Sequence, residues 1–222
     1  MKNKFILLVL LFTIVCSGQE LKKSNEILQA PIPLELMIGN DYSLYQMTVS
    51  KQLTPGNKFG FFNLLSYEID YVESTSDIYF IQSVFTYNIN TNFNVGTGAN
   101  LKSFGGYKPI LWSSYSIFND KIGFVLQPSV ELSKNGVAEL FSLFEWHRTN
   151  QKKISPYFRV QALFGGNKKH VFSYHYWRLG AQYNMFRFGA AINVQYIGEN
   201  VISNTNFGGF ISILIPTSCK KT

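Results

Sequence analysis

The sequence predicts an all-β fold: a closed antiparallel up-and-down transmembrane β-barrel of 10–12 strands. Three observations carry this. Apolar and polar residues alternate through most of the chain, clusters of Asn, Asp, Gly, Pro, Lys and Ser interrupt the alternation after segments of about 10–13 residues, and past residue 19 no apolar run approaches the length of a membrane-spanning helix. Closed β-structure is then the remaining way for such a chain to cross a bilayer, because hydrocarbon offers no partner to a free backbone amide.

The alternation is clearest in four segments. In 186–196, Phe186, Phe188, Ala190, Ile192, Val194 and Tyr196 share one face, and Arg187, Gly189, Ala191, Asn193 and Gln195 the other. The segments 92–103, 121–132 and 157–164 repeat the pattern, with Phe93, Phe124 and Phe158 on their apolar faces. Further strands are expected at 42–52, 58–71, 78–89, 108–118, 137–147, 173–184 and 206–215. Bacterial single-chain barrels use an even number of strands. Counting 33–39 as a short strand gives 12, the number to which the sequence leans. Asn90-Thr91, Asn119-Asp120 and Asn184-Met185 are expected to be tight turns, and 72–77, 103–107, 165–171 and 198–205 longer connections. Such an asymmetry separates the two ends of transmembrane barrels.

Alternation gives two faces but no direction. The polar face holds mainly Gly, Asn, Gln, Ser and Thr with scattered charges, whereas a solvated outer wall would be rich in Lys and Glu. Charged residues make up 15% of the chain, against roughly 25% in ordinary soluble domains. The apolar face is therefore expected to meet lipid and the polar face to line the lumen. Tyr71, Tyr87, Trp146, Tyr183 and Tyr196 fall near strand ends, where amphipathic rings suit the membrane interfaces.

Residues 1–18 read as a secretory signal peptide, with Lys2 and Lys4 ahead of an apolar stretch and small residues at Ser17-Gly18. Residues 19–33 form a polar leader, 34–216 the barrel and 217–222 a C-terminal tail. Loss of residues 1–18 lowers the formal net charge from +7 to about +5 and leaves Cys219 without a partner for an intramolecular disulfide. The basic balance suits weak attraction to anionic headgroups; with a secreted address and no dense Lys/Arg patch, nucleic acid is not an expected partner.

Charges on the polar faces are the candidate lumen or pore lining: Glu139, Glu145, Arg159, Arg178, Arg187, Lys102, Lys121 and Glu131. Sequential antiparallel strands are neighbours, so Glu139 and Glu145 should approach the three arginines. They make either an ion-pair network that fills the barrel or a basic wall in a water-filled pore. No cofactor and no metal is expected: three His and a distal Cys have no ligand spacing, and Gly105-Gly106 and Gly165-Gly166 open no helix that would cradle a phosphate. Asp70, Glu73 and Asp77 flank one connection and read as a solvated acidic rim. Ser173 and His175 share a strand face, with His170 beside a loop, in a pattern that fits no barrel hydrolase; no catalytic residue is assigned.

These features together resemble the outer-membrane β-barrel proteins of Gram-negative bacteria, over residues 1 to about 216. The final strand is similar to their assembly signal: polar Asn206, Gly208 two residues on, then Ile211 and Ile213. It departs from the usual pattern in that residues 216–222 follow it. Ser17-Gly18 before Gln19, and the stretch from Lys58 to Phe62 after Pro55-Gly56, look like secreted proteins and small barrels of the Bacteroidota. The resemblance implies an outer-membrane location, with lipid and the outer-membrane assembly machinery as partners. It implies a narrow passive channel or structural barrel rather than an enzyme, and no substrate. The alternatives are a periplasmic lipocalin-like barrel holding an apolar ligand and, more remotely, a lipid-modifying barrel enzyme.

Overall fold

The computed structural model describes residues 30–53, 58–72, 77–147 and 153–217. The expected signal peptide, most of the expected leader, Glu73 and Cys219 lie outside the described residues. Twelve strands form one closed sheet: β1 (Ile32–Gly39), β2 (Tyr42–Gln52), β3 (Phe59–Asp70), β4 (Ile78–Asn88), β5 (Phe93–Lys102), β6 (Gly106–Phe118), β7 (Ile122–Glu131), β8 (Ala138–His147), β9 (Ser155–Asn167), β10 (Lys169–Tyr183), β11 (Phe186–Ile197) and β12 (Ile202–Ile215). Each strand pairs antiparallel with the next in sequence. The ring closes where β1 meets β12, from Ile32↔Ile215 to Gly39↔Gly208. The segment 33–39 is thus a strand, and β1 begins two residues before the expected start of the barrel.

The expected tight turns form, and the side chains show why. Asn90 Oδ1 accepts the backbone amides of Asn92 and Phe93 at 2.9 and 2.8 Å. Asn119 Oδ1 does the same for Lys121 and Ile122. These Asx turns satisfy the backbone amides where the ladder stops. Asn184 supplies the left-handed conformation of its turn, with φ 53°.

Three of the four expected long connections are shorter than the glycines suggest. β9 runs through Gly165 and Gly166 and leaves only Lys168, at φ 50°, as the turn; β12 begins at Ile202, so 198–205 shrinks to 198–201. The connections 53–58 and 148–154 lie at the opposite end, so strand bounds give no short-turn end and long-loop end. Because the strand number is even, residues 30 and 217 share one end, the terminal end; the β1–β2 turn marks the far end.

The facing follows the alternation. Leu36, Ile38, Phe85, Leu111, Leu179, Phe188, Ile192 and Ile211 are exposed on the outer wall, while Asn193, Asn100, Arg178 and Gln195 are buried inside. Exposed Tyr71, Tyr107 and Phe104 mark the far end, and Tyr87, Trp146 and Tyr183 the terminal end. The interior is less uniformly polar than the strand patterns imply. Phe62, Val84, Ile110 and Trp112 pack together inside, with the Phe62 and Trp112 rings stacked at 5.3 Å. Met37, Tyr42, Leu44, Tyr157, Tyr176, Ala191 and Phe210 form a second cluster.

Candidate functional site: the filled lumen

The lumen is bridged by three charged groupings at successive heights. In the middle, Glu35 of β1 accepts two bonds from Arg159 Nη2 of β9, at 2.8 and 2.7 Å. Its Oε1 also accepts from Nε of Arg178 on β10, at 2.8 Å. Arg178 is 0% exposed; its Nη1 donates to Asn193 Oδ1 at 2.8 Å and to the Trp177 carbonyl at 2.9 Å. In the closed ring β1 and β9 are separated by β10, β11 and β12. The contact is therefore a strut across the lumen and not a cross-strand pair.

Towards the terminal end, Glu145 of β8 takes both ends of the Arg187 guanidinium of β11, at 3.0 and 2.6 Å. Tyr157 donates its hydroxyl to the same carboxylate at 3.1 Å, and its ring lies 4.6 Å beneath the guanidinium carbon. The planar fork of arginine suits both contacts. Towards the far end, Lys102 of β5 sits between Glu131 and Glu139, at 2.7 and 2.6 Å. Asn100 Nδ2 donates to Glu139 at 3.4 Å, and Asn100 Oδ1 accepts from Gln82 Nε2 at 2.9 Å.

A fifth carboxylate, Glu68 of β3, crosses to β10 and β11. Its Oε1 accepts from Tyr176 Oη at 3.1 Å and from Gln195 Nε2 at 2.8 Å. Between these groupings lies a cavity of about 10 Å³, lined by Leu64, Gln82, Trp112, Gln127, Glu139 and Leu163, with room for about one water.

Seven of the eight charges read from the sequence fall inside and in these groupings. Lys121 does not: it lies exposed in the Asn119–Lys121 turn, one residue before β7 begins, and so outside the strand phase that would aim it inward. Glu35 and Glu68 are the residues the sequence reading missed. Each carried a signal, a glutamate between two apolar neighbours in a strand (Leu34 and Leu36; Tyr67 and Ile69), so alternation aims it inward.

On the outer wall, the ladder between β9 and β10 shifts register between His170 and Phe172. The shift turns His170 to Ser173, with Nε2 to Oγ at 2.9 Å, while His170 Nδ1 meets the Gly198 carbonyl at 2.7 Å. His175 instead packs against Trp177 and Tyr196. Among the described residues no carboxylate forms an ion pair with His170. Asp70 accepts the Val72 amide and Asp77 the Tyr67 hydroxyl, so both serve their own connection. No group of three His, Cys, Asp or Glu able to hold a metal occurs among the described residues.

These features define the class: a closed 12-strand antiparallel barrel, ion-paired within and apolar without. No family model matches the sequence, and no curated protein matches it. Among solved structures, the NanC porin superposes with a TM-score of 0.50 at 11% identity, over 82% of this chain and 98% of that one. The KdgM porin gives 0.48 at 13% identity, over 82% and 97%. LpxR from Salmonella typhimurium gives 0.45 at 10% identity, over 82% and 100%. At such identities the likeness is one of fold.

Proposed function

We propose that this chain is an outer-membrane barrel whose lumen is closed by its own side chains: a structural barrel, or a narrow passive channel with little conductance at rest. The Glu35 strut carries the reading. A carboxylate reaching across the ring to two arginines occupies the space a solute needs. Breaking it leaves buried charge uncompensated, so the native state favours the closed form.

The exposed apolar wall with aromatic rings towards both ends supports a membrane location. A periplasmic barrel for an apolar ligand is disfavoured by the same facing, since a soluble barrel turns its apolar residues inward. The polar leader and tail favour the terminal end on the side from which a secreted chain inserts, with the far end outside. Fractionation tests the location: the protein should sediment with outer membranes, need detergent for extraction and migrate faster on gels unless boiled. Recovery as a soluble periplasmic protein without detergent refutes it.

A further inference from the structure

We propose that a dent in the outer wall at the far end, framed by β8, β9 and β10, holds one anionic lipid by its phosphate headgroup. The inference rests on the membrane reading above and adds a specific lipid site to it.

The dent arises from one row of the sheet. Leu140 and Phe164 are cross-strand partners, both exposed, at the top of the apolar wall. The next outward row is Ala138 opposite Gly166. That row carries a methyl group and a hydrogen where its neighbours carry side chains. On the other side Gly166 pairs with His170 of β10. The missing row opens a cleft of about 420 Å³, with Leu140 and Phe164 below and Lys168, Lys169 and His170 around the rim.

The walls are held firmly. His170 Nδ1 meets a carbonyl, which only accepts, so it carries the proton, and Nε2 accepts from Ser173 Oγ in the neutral ring. The imidazole also packs against Phe164, with centroids 5.8 Å apart. A β-carbon added at Gly166 would lie 3.2 Å from the Lys169 carbonyl and 3.5 Å from the Phe164 ring, so the emptiness depends on glycine.

At the rim Lys168 and Lys169 stand against Glu199 and leave one positive charge for an anion. Lys169 Nζ is 2.7 Å from Glu199, and both are exposed. Glu139 also borders the cleft, but its carboxylate is taken inside by Lys102. Lys168 adds a second ammonium at the turn. Two lysines at headgroup level attract anionic lipid. Beneath them the dent lets a phosphate settle below the rim, while an acyl chain lies on Leu140 and Phe164. A bare basic rim would gather anionic lipid in general; the shaped dent selects one molecule.

Native mass spectrometry of the full chain released from nanodiscs of phosphatidylcholine containing phosphatidic acid tests this. The wild type should retain one phosphatidic acid. Lys168→Gln with Lys169→Gln should lower the retained fraction by at least about tenfold. Ala138→Leu, which fills the dent without changing charge, should do likewise, and Glu199→Gln should raise retention. Lys121→Gln, at the other end, should leave it unchanged. Equal retention across all variants overturns the site and leaves only bulk attraction. Displacement by inorganic phosphate as readily as by lipid also overturns it, in favour of a phosphate site. Failure of the wild type to enter nanodiscs at all would refute the membrane reading instead, so the two failures are separable.

Discussion

Glu35 on β1 and Arg159 on β9 meet across the inside of the barrel at 2.7 Å, 124 residues apart in sequence and with three strands between them in the sheet. Backbone pairing does not bring them together. Only the closure of β1 on β12 carries Glu35 round to face β9, so the strut reports on a completed ring.

Removing that carboxylate should be costly. In Glu35→Gln two buried guanidiniums lose their counter-charge, and the loss should be about 3–5 kcal/mol. Urea unfolding in detergent micelles measures it. A loss below about 1 kcal/mol would mean that lumen water, and not Glu35, balances Arg159 and Arg178.

The Glu145–Arg187 pair should be coupled. Glu145→Gln and Arg187→Gln should each destabilise the barrel, and the double variant should lose less than the two losses combined, with a coupling of about 0.5–3 kcal/mol. Additive losses in the same unfolding assay would show that the two groups do not sense one another.

The outer wall should tolerate charge according to depth. Ile192 faces outward near the middle of β11 and Phe186 at its terminal end. Ile192→Arg should cost roughly 2–4 kcal/mol and Phe186→Arg roughly 0–1 kcal/mol in a lipid-reconstituted folding equilibrium. Equal costs at the two positions would contradict a bilayer around β11.

The closing seam is tight at Gly208. A β-carbon on Gly208 would fall 1.9 Å from the Ile38 carbonyl, whereas on adjacent Gly209 its nearest neighbour would be the Gly189 carbonyl at 3.6 Å. Gly208→Ala should hold β1 off β12 and reduce the heat-modifiable, folded band on gels; Gly209→Ala should leave it intact. The reverse order would place the close approach elsewhere.

Much of this fold is legible because a closed barrel repeats one rule. Period-two alternation and turn signals located eleven strands, and only the even-number rule favoured 33–39 as the twelfth. Where local signals mislead, the reason is tertiary. Gly165 and Gly166 resemble a loop, yet they continue β9: Gly165 takes up the inward close fit, where a β-carbon would sit 3.2 Å from the Phe172 carbonyl, and Gly166 leaves the outward dent. The polar wall could be read from Arg187, Asn193 and Gln195, but its partners could not. Which carboxylate reaches Arg159 depends on ring closure and strand stagger, and Glu35 is remote from it in sequence. The apolar filling by Phe62, Val84, Ile110 and Trp112 was equally hidden, since an inward tryptophan has the same sequence pattern as a lipid-facing one.

Planar-bilayer recording bears most directly on the central claim that side chains close the lumen. The account predicts that wild-type barrels, shown to be inserted, carry no steady ohmic current. Glu35→Ala combined with Arg159→Ala, which removes the strut from both sides, should produce measurable conductance. A steady open-pore current through the wild type, unchanged in the double variant, would contradict it.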